Sequence, residues 1–455
     1  MKKSFFSFLF LLISTLFLFI LIFLKTDSDQ GDQYIRIASE NEKKEENCIH
    51  ALIFYHASDF FIYKGAPIGF QYDLLKELGK SLKKKVIITI KTDPNEVFLE
   101  ALTDQYDIVA MDFNKDLFFS NLLTLSVPHS YSYPVIIERK NQKWDPAKIH
   151  QLYIPAKFSI DIDLNLLSDS KHWELTHGDD CTTEELFERL QKNEVDYIIS
   201  DYNLAITLLP FYPELKIRDK VGNNFERTWT LNSNKPALND TINQWLEEYK
   251  QSISYKLLCK KYLSQHSPII YHSFKKSKAY YISPYDKIIK KYAKQYGIDW
   301  LFVSSIIFQE TKFESKLTGL GGSFGLMQMM PETGNRYGIS DTSTVEEQIK
   351  AGTKHLAFLQ KRYQEVKSPD EILYFVAASY NAGTGHIQDA QSLCEKHGKD
   401  PWIWRHVAHY LKLKSQKKYY YDPVVRCGYF PGKYTVQYAN QVVERYKTYK
   451  VTLEK

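Results

Sequence analysis

The chain has 455 residues and a formal net charge of +5, too long for one ordinary domain and too weakly basic for a nucleic-acid binder. Charged residues make up 25% and hydrophobic residues 44%, which excludes a disordered chain and predicts two or three core-forming domains. The five cysteines (Cys48, Cys181, Cys259, Cys394 and Cys427) are scattered, with no CxxC pair and no histidine at zinc-ligand spacing, so no metal site is expected. Cys394 and Cys427 fall in the same terminal segment and are the candidates for a disulfide.

In chain order, Lys2 and Lys3 precede an apolar run from Phe5 to Leu24, closed by Lys25. At ~1.5 Å per residue such a helix spans about 30 Å, the thickness of a bilayer core. The run is longer than a signal-peptide core and lacks a small-residue cleavage site. Residues 1–25 therefore read as an N-terminal membrane anchor or signal segment, with the lysines inside and the rest exported to the cell envelope. Residues 26–32 are a polar linker, and Glu42–Glu46 is a solvated charge run.

Over residues 33–265 short apolar runs alternate with amphipathic segments, which predicts α/β organisation. The strand candidates are Tyr34–Ala38, His50–Phe54, Val86–Ile90, Ile108–Met111, Val135–Ile137 and Tyr197–Ile199, with helices at Leu74–Leu82 and Thr183–Gln191. Asp107–Asp112 and Asp196–Asp201 repeat the spacing D-x4-D around an apolar core, an echo that suggests two similar lobes with a ligand cleft between them. The segment Gly65-Ala-Pro-Ile-Gly69-Phe-Gln-Tyr-Asp73-Leu-Leu75 resembles the G-x-P-x-G-F-x-x-D-L-L segment of family 3 periplasmic solute-binding proteins. That resemblance implies a bilobal, hinge-closing fold, with lobe crossings near Ile137 and Trp229 and Asp201 as a residue able to contact a ligand amino group. Amino-acid binders of the family carry an arginine soon after the Asp107-type strand, and Asn114–Ser120 has none. Lys115 cannot replace a bidentate fork. A peptide or muropeptide ligand, or a cleft kept only as scaffold, are the two readings left open.

A polar connector at 266–284 leads into residues 285–455, mostly helical by period. Asp299 stands as the N-cap of a helix running from Trp300 to Glu310, whose spacing puts Val303, Ile306, Ile307 and Glu310 on one face. A carboxylate closing an apolar stripe is costly to bury, and burial would raise its pKa into the range of a general acid. Alone, such a residue is more simply a salt-bridged structural glutamate. Glycines at 319, 321, 322 and 325 follow, allowing close approach of a ligand to the backbone.

Four segments change the reading of Glu310. They are Glu310-Thr-Lys-Phe-Glu-Ser315, Gly322-Ser-Phe-Gly325-Leu-Met-Gln328-Met-Met-Pro331-Glu-Thr333, Ser379-Tyr-Asn-Ala-Gly-Thr-Gly385, and the stretch around Tyr438. In order and spacing they resemble the motifs of the lytic transglycosylase SLT domain, departing at Thr311, Ser315, Ser379 and Ala439. The resemblance implies a mainly α, lysozyme-like domain behind the α/β bilobal periplasmic-binding-protein-like one. It implies Glu310 as the catalytic acid/base, with Thr311, Met327, Gln328, Tyr380, Asn381 and Tyr438 meeting substrate, and no cofactor. The order of the two domains behind an apolar N-terminal segment resembles the membrane-bound lytic murein transglycosylase F family. The implied reaction cleaves peptidoglycan between N-acetylmuramic acid and N-acetylglucosamine and leaves 1,6-anhydromuramoyl ends. The implied location is periplasmic and membrane-associated. Glu314, one helical turn beyond Glu310, has no counterpart in the motifs. A goose-type lysozyme-like hydrolase and a non-catalytic wall-sensing receptor remain as alternatives.

Overall fold

The computed structural model describes residues 34–38, 45–55, 59–114, 122–155, 162–167, 169–177, 181, 183–264 and 282–453. The expected N-terminal anchor lies outside the described residues, as do most of the expected connector and residues 115–121, which include Lys115. Among the described residues no helix is long and apolar enough to cross a membrane. Contacts divide the chain into residues 1–61 with 67–278, and residues 62–66 with 279–455, against an expected second-domain start at 285.

The strands in chain order begin with β1 (Ile35–Ile37), β2 (Ile49–Phe54), β3 (Phe61–Tyr63), β4 (Ala66–Ile68), β5 (Val86–Lys91), β6 (Ile108–Asn114) and β7 (Thr124–Leu125). They continue with β8 (Ser130–Ser132), β9 (Pro134–Arg139), β10 (His150–Ile154), β11 (Trp173–His177), β12 (Tyr197–Asp201), β13 (Leu215–Lys220) and β14 (Phe225–Leu231). One large sheet has the order β1-β5-β2-β6-β14-β7, with β8 also on β14, a second has the order β11-β10-β12-β9-β13, and β3 and β4 pair as a two-stranded sheet. β5, β2 and β6 pair in parallel and read as near-continuous Val/Ile runs, because both faces of a parallel sheet are covered.

The two D-x4-D segments fall on β6 and β12, an inner strand of each sheet, so the echo does mark two lobes. The chain crosses between sheets at Tyr133 and again over 221–224. Ile137 and Trp229, expected at the crossings, instead lie inside strands and are fully buried. Their β-branched and aromatic side chains suit strand interiors. The crossings are a few residues away.

The helices of this unit are α1 (Phe70–Leu82), α2 (Pro94–Ala101), α3 (Thr183–Gln191), α4 (Tyr202–Leu208), α5 (Pro236–Lys250) and α6 (Ile253–Tyr262). The G-F-x-x-D-L-L segment is a structural device at the start of α1. A Cβ on Gly69 would lie 2.1 Å from the Asp59 carbonyl oxygen. Asp73 accepts from Tyr262 Oη and Lys261 Nζ, both at 2.6 Å, and so ties α1 to α6.

The second unit is helical: α7 (Asp286–Tyr296), α8 (Trp300–Thr311), α9 (Pro331–Arg336), α10 (Val345–Lys361), α11 (Pro369–Ala382), α12 (Thr384–Lys396), α13 (Trp404–Leu413), α14 (Lys417–Tyr420) and α15 (Gly432–Leu453). α8 is its central rod. Every side chain from Leu301 to Phe308 is buried, whereas the sequence predicted one apolar face. A helix apolar all round belongs in the middle of a core, and α15 packs along it. Ser304 and Ser305 fit there because their hydroxyls bond back to the Trp300 and Leu301 carbonyls.

Lys414 is fully buried in this unit, with Nζ 2.6 Å from Asp389 Oδ2. Asp389 in turn accepts from the Arg426 and Cys427 amides at 2.8 and 2.9 Å, fixing the segment that leads into α15. Removing one partner strands a buried charge, so Lys414→Met should cost about 3–5 kcal/mol in urea-induced unfolding.

Candidate active site

Asp299 caps α8, its Oδ1 accepting from the Leu301 amide at 2.9 Å, and its Oδ2 accepts from Tyr446 Oη on α15 at 2.9 Å. The helix stops just past Glu310: Lys312 and Phe313 are left-handed, with φ of 50° and 66°. Glu310 thus sits in the last turn, where the partial negative charge of the helix end disfavours a carboxylate. Tyr438 Oη donates to Glu310 Oε1 at 2.5 Å across 128 residues of sequence. Burial pushes the Glu310 carboxyl up to about 7, against the pull of that hydrogen bond. The Tyr438 phenol is held well above its ordinary value by burial and by the Glu310 charge, so it stays a donor.

The glycine-rich loop folds beside this carboxyl. Thr311 Oγ1 donates to the Leu326 carbonyl at 2.8 Å, and Tyr380 Oη donates to the Met327 carbonyl at 2.6 Å. Burial, and next the charge on Glu310, hold the Tyr380 phenol well above its usual value, which places Tyr380 within electrostatic reach of the acid. Asn381, exposed at the end of α11, accepts from Thr435 Oγ1 at 2.6 Å through its carboxamide oxygen, which leaves the NH2 end to face outward.

Three expected substrate contacts are placed otherwise. Met327 is buried, its sulfur resting where a Cβ on Gly352 would be, so it fills the core. Thr311 is also buried and serves the loop. Gln328 adopts a left-handed φ of 47° and bonds within the loop: Nε2 donates to the Leu317 and Gly325 carbonyls at 2.9 and 2.8 Å, and Oε1 accepts from Ser323 Oγ at 2.9 Å. An amide so engaged is a brace for the loop. The structure brings together Glu310, Tyr438, Tyr380 and, through Thr435, Asn381.

No second carboxylate is among the groups that shift Glu310, which are its apolar surroundings and Tyr438. Glu314 is exposed and lies past the left-handed turn that ends α8, so the helical-turn relation to Glu310 is lost. Among the described residues His386, Asp389 and Cys427 offer ligand atoms within 4.8 Å of one another. The Lys414 ammonium already stands among them, 3.0 Å from His386 Nδ1 and 2.6 Å from Asp389 Oδ2, and would repel a second cation. All five cysteines are free thiols, and the Cys394–Cys427 disulfide is not formed. Cys427 Sγ lies against Gly385 at the start of α12, whereas Cys394 is nine residues further along that helix, about 13 Å by helical rise and beyond disulfide reach.

In the first unit Asp201 ends β12 and caps α4, Oδ1 accepting from the Leu204 amide at 3.0 Å. Its Oδ2 lies 2.6 Å from Arg227 Nη2. Arg227 stands on β14 in register with Asn114 of β6, the strand after which the sequence lacked an arginine. An arginine therefore stands beside the end of β6 on another strand. Scanning along the chain misses it because the neighbouring strand is 113 residues away (227 − 114).

A profile of the Transglycosylase SLT domain matches residues 287–403, and one of bacterial extracellular solute-binding proteins, family 3, matches residues 55–265. A membrane-bound lytic murein transglycosylase F of Desulfosudis oleivorans is 26% identical over 86% of this chain and 87% of its own length. Its namesake from Serratia proteamaculans is 27% identical over 93% of this chain and 86% of its own. The chain is similar to both over most of its length. An ancestral cationic amino acid solute binding protein of known structure covers 48% of the chain and 96% of its own, at 17% identity and a TM-score of 0.40.

The SLT match ends at residue 403, so Tyr438 and Thr435, on α15, lie beyond it, yet they complete the Glu310 site. The raised carboxyl of this SLT domain has a thermodynamic consequence. Below about pH 4.5 Glu310 is neutral in folded and unfolded chains alike; as pH rises towards 7 only the unfolded chain ionises, and folding is penalised. Glu310→Gln should therefore be more stable than the parent, by an amount that grows from pH ~4.5 to ~7 to at most about 3 kcal/mol. Thermal melts across that range check it.

Proposed function

We propose that the SLT domain cleaves the glycan strands of peptidoglycan as a lytic transglycosylase, with Glu310 as acid and then as base. The observation that carries this reading is the half-buried Glu310 carboxyl, pushed up to about 7 and held by a tyrosine hydroxyl. At neutral pH about half of such groups carry a proton, which suits a residue that must first give a proton and then take one. Tyr438 donates to Oε1, so the acidic proton belongs on Oε2, and that oxygen would protonate the glycosidic oxygen between N-acetylmuramic acid and N-acetylglucosamine. The muramic acetamido group can stabilise the cationic centre left behind, and the outward donor of Asn381 is suited to orient it. The Glu310 carboxylate then removes the proton from the sugar's own C6 hydroxyl as that oxygen closes on C1. The 1,6-anhydro ring forms, the proton returns to Glu310, and no water is consumed. An attached nucleophile brings effective molarities on the order of 10⁵–10⁸ M, which is why a second carboxylate to activate water can be dispensed with.

Digestion of isolated sacculi with product analysis by mass spectrometry tests the reading. Anhydro-ended fragments are expected, and Glu310→Gln should lower their rate by about 10²–10⁴-fold. Reducing ends in their place would make the protein a hydrolase. Tyr438→Phe removes a bond that favours the ionised acid, so the basic limb of its pH–rate profile should move above about 7 while the rate falls.

For the family 3 domain, the Asp201–Arg227 pair supports a ligand that carries both an ammonium and a carboxylate, as a muropeptide stem does. Such a ligand can replace each partner with its opposite charge. Calorimetric titration with a stem-peptide fragment should detect binding in the parent, and Arg227→Met should weaken it by about tenfold or more. The names of the relatives support a place in the cell envelope. We read the apolar N-terminal run as what holds the protein to a membrane there.

A further inference from the structure

We propose that Gln348, a residue outside every motif of the SLT reading, is a positioning residue that fixes the peptide wall beside Glu310 and keeps water from its carboxyl. The inference rests on the reading of Glu310 as the acid.

Gln348 lies in the first turns of α10, one residue past the Thr344–Glu347 capping box, and is buried at 5% exposure. Its Oε1 accepts from the Leu326 amide at 2.8 Å and its Nε2 donates to the Ser343 carbonyl at 2.9 Å. One partner is a donor and the other an acceptor, so the orientation of the side-chain amide is fixed by its neighbours. The next peptide group is held as well, since the Leu326 carbonyl accepts from Thr311 Oγ1 at 2.8 Å, so both backbone polar groups of Leu326 are tied. Thr311 is the residue next to Glu310. One residue further on, the Met327 carbonyl accepts from Tyr380 Oη at 2.6 Å. Two consecutive buried residues of the loop are thus tied to three helices, α8, α10 and α11, around the acid.

Gly325 is what lets Gln348 in. Its φ is +71°, and a Cβ there would stand 2.3 Å from Gln348 Oε1. The glycine of the G-L-M-Q segment therefore serves close approach of a buried side-chain amide to the loop, and a sugar need not be the group that requires it. Leu326 is fully buried, so its amide has no water to turn to once Gln348 is gone. The loop would then relax outward to hydrate the amide, and the water that reaches it would also reach Glu310.

The discriminating readout is the pH dependence of kcat/KM, measured on soluble glycan strands with the full chain. Gln348→Met fills a similar volume but cannot accept from the Leu326 amide. With Glu310 better hydrated, less of it is protonated at neutral pH, and the basic limb should move from about 7 to lower pH. A move of one pH unit lowers the rate about tenfold above the limb and leaves it nearly unchanged well below. Gln348→Glu keeps an acceptor for the Leu326 amide and should hold the limb closer to the parent. Thr311→Val, which frees the carbonyl of the same residue, should move it in the same direction as Gln348→Met and stands in if the latter fails to fold. A uniform loss at all pH values with unmoved limbs in Gln348→Met and Thr311→Val would reduce the residue to a structural role and overturn the proposal. If Glu310→Gln keeps its activity, it is the assignment of the acid that fails.

Discussion

On the proposed reading of Glu310 as the acid, the helical unit depends on one constraint: a carboxyl must stay half-protonated at neutral pH without a charged neighbour to tune it. Desolvation is the means left, and desolvation needs a rod that is apolar on every side. α8 supplies this, and its last turn then has to end sharply so that Glu310 reaches the surface of the core instead of its centre. The left-handed residues Lys312 and Phe313 make that stop. Tyr438 opposes the shift only in part, because a phenol held far from ionising donates a hydrogen bond but brings no charge.

With the proposed acid defined by exclusion of water, the surrounding loop would serve the chemistry even where it never meets a ligand. Met327 fills space over Gly352, Gln328 braces the loop from within, and Thr311 and Gln348 hold the carbonyl and the amide of Leu326. Met327 and Gln328 stand in a segment that resembles an SLT motif, and a motif is easily mistaken for a list of substrate contacts. Here much of it is a wall.

The sequence made the order of the domains legible, along with most of the inner strands and the helix that bears Glu310. Those features are written in local patterns: Val/Ile runs for strands buried on both faces, an N-cap at Asp299, and glycines where the backbone turns left-handed. What was missed depends on distance in three dimensions. The apolar face predicted for α8 became a fully buried helix because neighbouring helices surround it, and no period within α8 records that. The crossings between lobes fell a few residues from Ile137 and Trp229, since a strong strand former marks the middle of a strand rather than its exit. Gln348 left a faint trace: it shares a helix face with Gly352 and Leu356, all buried, and a polar residue on such a face needs a partner. The partner, the Leu326 amide, lies 22 residues back in a loop.

Arg227 shows the same limit in the first unit, and with it a rule for reading a missing motif residue. The absence of an arginine after β6 suggests lost function only if the position must be filled from the same strand. A sheet places residues of distant segments side by side, and here β14 sets Arg227 opposite Asn114. The Asp201 carboxylate meets its guanidinium in this way, from whichever strand passes there. The same holds for Tyr438, which reaches Glu310 from a helix beyond the matched SLT segment. In both units the decisive partner comes from outside the stretch of chain that announces the function, so the chemistry is complete only in the folded chain.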